Sequence, residues 1–274
     1  MRRIEKISMK PFLKWAGNKF QIVKQVREIL PMGKRLIEPF VGSGAVFLNT
    51  DYPQYMLSDA NGDLIHLYTT LQEEGEPFVA YCRQFFGPDH NNPDVYYGRR
   101  ALFNDTEDKR LRSALFLYLN RHCYNGLCRY NAMGGFNVPF GRYKYPYFPD
   151  KELLFFVARA SHATFQQADF IESMRQAEAG DVVYCDPPYV PLSETANFTS
   201  YSAGGFDSQA QQNLADEIRK LATRGIPVLV SNHDTPFVRE IYAGAEIVGL
   251  QVQRFISRDG KNRNKAGEVL ALFR

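Results

Sequence analysis

Apolar residues recur along this chain at two different spacings, and their alternation predicts its architecture. Between Phe20 and Leu30 they fall at helical spacing (Ile22, Val23, Val26, Ile29, Leu30), and the run ends at Pro31, which has no backbone N–H to continue a helix. Arg35–Glu38 reads as a short strand leading into Pro39-Phe40-Val41-Gly42-Ser43-Gly44, and Ala45–Leu48 then reads as the start of a helix. Strand, glycine loop and helix in that order bring backbone N–H groups and a helix amino terminus close to a ligand. Glycine pairs also occur in ordinary turns, so the flanking elements give this one its weight.

Tyr55–Leu57 reads as a second strand with Asp59 at its end. An acid there can accept bonds from ribose hydroxyls, cap the helix beginning near Asn61, or do both. Helical patterning continues through Asn61–Gln72, Pro77–Gln84, Asp94–Phe103 and Asp108–His122. This is too much helix for one crossover. An inserted, mainly helical domain is expected over residues 60–148, leaving 1–59 and 149–274 as the ligand-binding core.

The core resumes with a helix over Lys151–Ser161 and a strand over Thr164–Gln167, with Asp169 just beyond it. Asp181–Cys185 reads as a further strand. A long loop from the 190s to Phe206, rich in Ser, Thr, Asn and Gly, suits a mobile cover. Ser208–Thr223 reads as a helix ending at Gly225, and Pro227–Val230 as a strand reaching Ser231-Asn232-His233-Asp234. Glu246–Phe255 and Glu268–Phe273 close the pattern as antiparallel strands around a basic turn. Strands alternating with helices predict an α/β fold, a doubly wound Rossmann-like sheet finished by a hairpin.

The run Val182-Val183-Tyr184-Cys185-Asp186-Pro187-Pro188-Tyr189 carries the candidate chemistry. Each proline fixes its own backbone and lacks an N–H, and the residue before a proline is pushed to extended geometry, so the strand must stop at Asp186. The Asp186 side chain and the Pro187 carbonyl are then expected to be acceptors with no local donor, able to face an exocyclic amine. Tyr189 can stack on a flat ring, a contact worth roughly 1–3 kcal/mol for a base. This pattern points to an amino-methyltransferase. An ordinary turn with a solvated aspartate is the plain alternative.

Composition narrows the field. Apolar residues make up 45 % and charged residues 23 % of 274 positions, as in an ordinary globular protein. No run approaches the roughly 20 apolar residues that span a bilayer; Ala114–Leu119 is among the best and is short. Arg2, Arg3, Lys6 and Lys10 precede no apolar segment of the secretory kind, so a cytoplasmic protein is expected. Four cysteines (Cys82, Cys123, Cys128, Cys185) and five scattered histidines lack metal-site spacing, and no metal is expected.

Net charge is only +3, but it is uneven. From Tyr96 to Lys144 nine basic residues (Arg99, Arg100, Lys109, Arg110, Arg112, Arg121, Arg129, Arg142, Lys144) face three acids. A second cluster, Arg254, Arg258, Lys261, Arg263 and Lys265, is offset only by Asp259. Such clusters are commonly solvated faces, but two of them in a chain with an acidic remainder favour a phosphate backbone as partner.

Phe12-Leu13-Lys14-Trp15-Ala16-Gly17-Asn18-Lys19, the Phe40–Gly44 loop, the Asp186–Tyr189 turn and Tyr124-Asn125-Gly126-Leu127-Cys128-Arg129-Tyr130-Asn131 together resemble the Dam family of DNA adenine-N6 methyltransferases. The likeness runs almost end to end; Asn18 departs from a position where the family more often has glycine. The resemblance implies S-adenosylmethionine as cofactor and the adenine of double-stranded GATC as target, in a monomeric, bacterial or phage-type enzyme used at the nucleoid. It implies that Trp15, Ala16 and Lys19 line the cofactor, Gly42 and Gly44 its methionine end, Asp59 its ribose, and Asp169 with Phe170 its adenine edge, with Asp186, Pro187, Pro188 and Tyr189 catalytic. Lys14 would reach the first guanine. Tyr124 would insert beside the target, Asn125 would organise the opened pair, and Leu127, Arg129 and Pro139 would read the other half. Asn131, Asn137, Arg142 and Tyr143 would also touch DNA. Arginine suits this task because it can bond guanine O6 and N7 together; the plainer readings are a phosphate contact for Arg129 and a core aromatic for Tyr124, the latter opposed by its neighbours Asn125 and Gly126, which read as an exposed turn. A target amine hidden in the stack requires the base to be flipped out. Three alternatives stay open: an RNA or protein amide methyltransferase using the same turn, a catalytically silent DNA-binding regulator, and a nicotinamide dehydrogenase, which would lack the full glycine fingerprint.

Overall fold

The computed structural model describes residues 8–190, 206–253 and 265–274. The expected cover over the 190s and most of the second basic cluster lie outside these residues. In chain order the strands are β1 (Arg35–Glu38), β2 (Gln54–Asp59), β3 (Ala163–Gln167), β4 (Asp181–Cys185), β5 (Val228–His233), β6 (Glu246–Gln253) and β7 (Lys265–Phe273). The α-helices are α1 (Val23–Ile29), α2 (Gly62–Glu74), α3 (Glu76–Arg83), α4 (Pro93–Asp105), α5 (Lys109–His122), α6 (Asp150–Ala160), α7 (Phe170–Arg175), α8 (Ser208–Thr223) and α9 (Pro236–Ile241). The fold is α/β, with a seven-stranded mixed sheet. The chain divides into two compact units, the first built from residues 1–23, 42–51 and 61–167 and the second from 24–41, 52–60 and 168–274.

In the second unit six strands lie in the order β2-β1-β4-β5-β7-β6. β1 pairs parallel with β2 (Leu36 opposite Tyr55) and with β4 (Ile37 opposite Val183). β4 pairs parallel with β5, and β7 is antiparallel to both β5 and β6. The chain therefore winds outward in both directions from β1, and the loops leaving the carboxyl ends of β1 and β4 diverge, the place where open α/β sheets bind ligands. Every residue of β4 is buried, as expected for a parallel strand covered on both faces. Ile37, Val183, Cys185, Val228 and Val230 pack with Leu214, Ile218 and Leu221 of α8 and Met174 of α7 in one core. At the amino ends of β1 and β4 the buried Asp181 carboxylate holds the Arg35 guanidinium at 2.5 Å.

In the first unit the middle of α5, Ser113–Asn120, is buried throughout. α2, α4 and α5 start where Asn or Asp residues permit: Asn61, Asn92 and Asp108 accept the free N–H groups of Leu64, Val95 and Leu111. Phe12, Tyr68 and Phe156 form an edge-packed aromatic core with Phe47 and Phe165.

Several expectations need correction. Ala45–Leu48 does not start an α-helix; only a 3₁₀ turn forms, at Phe47–Asn49. Asn49 Nδ2 donates to the Ala45 carbonyl (2.8 Å) and Thr50 Oγ1 to the Val46 carbonyl (2.9 Å), taking the acceptors a longer helix would use. The loop thus offers no helix amino terminus to a ligand. The side-chain cap of α2 is Asn61, which accepts the Leu64 N–H. The first predicted helix divides into a 3₁₀ turn, Lys19–Ile22, and α1. β5 runs three residues further than expected, through Ser231-Asn232-His233. Helices α7 and α9 were not anticipated; each is only six residues long and is set by one cap, Asp169 or Thr235.

Candidate active site

In the second unit, Asp186 follows the last residue of β4, and the expected stiff turn is clamped from several sides. The Ser231 hydroxyl lies 3.0 Å from Asp186 Oδ1 and donates to it. The expectation that Asp186 has no local donor is therefore wrong; β5 lies alongside β4 and delivers Ser231 to the strand end. The Gln211 side-chain amide donates to the Pro188 carbonyl at 2.7 Å. The Val190 N–H donates to Asn232 Oδ1 at 3.2 Å, and the Val190 carbonyl lies 2.6 Å from His233 Nδ1. Among the described residues none donates to the Pro187 carbonyl. Tyr189 sets its ring edge-on to His233 (4.7 Å) and donates its hydroxyl to Glu268 Oε2 (3.1 Å). Burial, then the charges of Asp186 and Glu268, raises the Tyr189 phenol well above its ordinary range, so it stays a neutral donor.

Phe40, Asp59 and Asp186 all leave the same edge of the sheet, at the carboxyl ends of β1, β2 and β4. Phe40 stacks on Phe170 (5.4 Å between centroids, 23° between planes), and Phe206 meets both rings edge-on. Asp169 caps α7 through its Oδ1 (2.9 Å to the Ile171 N–H), which fixes the entry of Phe170 into this trio. The Val41 N–H donates to the Ser58 carbonyl (2.8 Å), so the start of the glycine loop is pinned to β2.

In the first unit, Gly42 has φ +47°, and a Cβ there would lie 2.9 Å from Trp15 Nε1. Glycine is required on both counts. The Gly42 carbonyl accepts the Tyr68 hydroxyl at 2.6 Å, and Gly44 is also left-handed, at φ +72°. Lys19 is buried and donates to the Gly17 carbonyl at 2.5 Å, while Ala16 is exposed.

Lys14 is held by Asn120, which accepts from the Lys14 N–H (2.9 Å) and donates to the Lys14 carbonyl (2.7 Å). Its ammonium donates to the Arg121 carbonyl and sits 3.6 Å above the Tyr143 ring. Burial first, then the neighbouring Arg121 charge, lowers Lys14 to about 8. A Cβ at Gly126 (φ +64°) would lie 2.2 Å from the Lys14 side chain, so the 124–127 turn and the Lys14 segment pack directly. Tyr124 and Asn125 are exposed, and Asn125 is left-handed at φ +54°, which an asparagine tolerates. Leu127 is half-buried.

Arg129 is exposed and donates through Nε to Asn137 Oδ1 at 2.7 Å, so two residues predicted separately form one pair. Asn131 Oδ1 accepts from the N–H groups of Met133 and Gly135, closing its own turn. Pro139 is exposed and accepts the Tyr124 N–H (2.8 Å). Arg142 is exposed in a left-handed conformation, φ +52°. Much of the basic excess in residues 96–144 is internal: Arg110 pairs with Glu74, Arg112 with Asp63, Arg99 bonds the Phe85 carbonyl and Arg100 the Val138 carbonyl. Counting charge along the sequence overstated the outward-facing part.

Sequence reasoning missed Ser231, Gln211, Glu268 and Phe40 as site residues. Phe40 could have been found, because it lies inside the glycine-loop motif. The others come from elements far apart in sequence and carry no local signal.

The chain matches the family described as D12 class N6 adenine-specific DNA methyltransferase over residues 15–256. It is 51 % identical over 263 residues to a DNA adenine methylase of Vibrio cholerae, covering 96 % of this chain and 95 % of that protein. It is also 51 % identical to a DNA adenine methylase of Serratia marcescens (96 % and 98 % covered) and 49 % identical to one of Escherichia coli K12 (96 % and 95 % covered). Together with a sheet switch point bearing an Asp-Pro-Pro-Tyr turn, these matches establish that the chain belongs to the family of D12 class N6 adenine-specific DNA methyltransferases.

Proposed function

We propose that this enzyme methylates N6 of the adenine in double-stranded GATC, using S-adenosylmethionine and acting on a base flipped out of the duplex. The observation that supports it best is the Asp186–Tyr189 turn, an acceptor pair and an aromatic face held at the carboxyl edge of a doubly wound sheet. When bound, S-adenosylmethionine supplies an electrophilic methyl group. The chain fits such a cofactor on two observations: an acid at the end of β2 suited to ribose hydroxyls, and glycine at position 42, where any Cβ would collide with Trp15. Asp59 would hold the ribose, Asp169 and Phe170 the adenine edge, Gly42 and Gly44 the methionine end, with Trp15, Ala16 and Lys19 also contributing.

An adenine amine is a poor nucleophile because its lone pair is delocalised into the ring. Asp186 and the Pro187 carbonyl accept hydrogen bonds from its two N–H groups, which favours a pyramidal nitrogen with a localised lone pair. Tyr189 stacks on the ring and fixes its plane. Positioning and electrostatics carry the acceleration, and no covalent enzyme intermediate is needed.

Residues 60–148 act as the target-recognition domain and 1–59 with 149–274 as the catalytic core. Lys14 contacts the first guanine, Tyr124 and Asn125 manage the opened pair, and Leu127, Arg129 and Pro139 read the other half. Asn131, Asn137, Arg142 and Tyr143 support the duplex. The enzyme works as a monomer on cytoplasmic, nucleoid DNA. The test is incubation with labelled cofactor and duplexes that differ only at GATC. Label on the GATC adenine alone supports the reading, and equal label on scrambled duplexes overturns it.

A further inference from the structure

Tyr189 is gripped at both ends by side chains outside the Asp-Pro-Pro-Tyr motif. Its backbone is bracketed by two buried amides: Gln211 of α8 donates to the Pro188 carbonyl (2.7 Å), and Asn232 of β5 accepts from the Val190 N–H (3.2 Å). The two amides are joined to each other, Asn232 Nδ2 donating to Gln211 Oε1 at 3.0 Å. Both are buried in an otherwise apolar core, where a polar group is tolerated only with its partners made. The tip of the ring donates to Glu268, which β7 presents opposite His233 of β5, the residue whose imidazole meets the same ring edge-on.

We propose that Glu268 and the Gln211–Asn232 amide pair are positioning residues that set the stacking plane of Tyr189 relative to Asp186. The inference rests on the adenine-methylation reading of the turn. Proline alone fixes the backbone of residues 187 and 188, but it leaves the backbone and χ angles of Tyr189 undetermined. A ring that must meet a flat base needs both fixed. The amide pair does the first, and Glu268 does the second.

The test is a double-mutant cycle on the full-length protein, with a GATC duplex carrying 2-aminopurine at the target adenine as fluorescent reporter for stacking and unlabelled duplex for turnover. Glu268→Leu removes the Glu268 acceptor from the Tyr189 hydroxyl and should lower kcat about tenfold, the scale of one lost buried hydrogen bond, with KM for DNA little changed. In a Tyr189→Phe background the same substitution should add almost nothing. Glu268→Gln keeps an acceptor without the charge and should rescue most of the loss. Gln211→Glu, which sets a carboxylate against the Pro188 carbonyl, should alter the 2-aminopurine signal of the bound duplex. Losses that multiply in the double variant, no rescue by Glu268→Gln, or unchanged kcat in Glu268→Leu would each overturn the proposal. A variant that loses thermal stability is read through the Glu268→Gln arm, which conserves shape. Transfer by the unaltered protein, measured in parallel, reports on the methylation reading itself.

Discussion

Ser231 donates its hydroxyl to the Asp186 carboxylate across the β4–β5 pair, at 3.0 Å, and the Tyr184 hydroxyl lies 3.2 Å from the same Ser231 oxygen. A buried serine thus orients the carboxylate proposed as the amine acceptor. Ser231→Ala should leave Asp186 less constrained and lower kcat roughly tenfold to a hundredfold, since hydrogen bonds to charged groups are worth about 1.5–3 kcal/mol. Asp186→Ala should abolish transfer altogether while cofactor and duplex binding persist. Steady-state kinetics with parallel binding titrations distinguishes the two, and a Ser231→Ala enzyme with native kcat would show that Asp186 needs no such support.

Lys14 gives the protein a pH dependence of its own. Its ammonium, lowered to about 8 mainly by burial, is charged below that pH and neutral above it. Duplex affinity should therefore fall as pH rises through about 8, and binding above it should be accompanied by proton uptake. Between about 8 and the ordinary lysine value of 10.5, the unfolded chain holds a proton that the folded one lacks, so this residue makes stability rise with pH there. Lys14→Ala should lose the component near pH 8 in a binding titration; an identical profile in the variant would remove Lys14 from the interface.

Arg129 and Asn137 should behave as a unit. Arg129→Ala should cost about 1–3 kcal/mol of discrimination at one base position. Asn137→Ala, which frees the guanidinium from its 2.7 Å bond, should cost part of the same amount, and the double variant no more than Arg129→Ala alone. Competition binding with single-base variants of the site measures this. Additive losses would mean that the two residues read DNA independently.

Trp15 is the only tryptophan in the chain, and it stands against Gly42. Its fluorescence should change on adding S-adenosylmethionine. Gly42→Ala should weaken or abolish that response and destabilise the protein by about 1–3 kcal/mol, because a residue with a Cβ is strained at φ +47° and collides with the indole. A normal titration in the variant would place the cofactor elsewhere.

Most elements were legible in sequence because each carries a local signature. α5 shows helical spacing behind an Asp108 cap, and β4 shows a continuous apolar run stopped by two prolines. The misread segments are those where side chains compete with the backbone. Asn49 and Thr50 take the carbonyls that would have extended Ala45–Leu48 into a helix, and no spacing rule records that. α7 and α9 are too short for periodicity to reveal.

The sequence alone determined the chemistry of the turn, since proline geometry is intrinsic to residues 187 and 188, and it determined that an acid and an aromatic flank them. Tertiary structure decided what surrounds that turn. Ser231 and Asn232 of β5 and Glu268 of β7 meet it because β5 pairs with β4 and β7 pairs with β5, and Gln211 meets it because α8 packs in the core beneath those strands. Register between strands is set by burial of a shared core, a property of the assembled sheet that no single segment encodes.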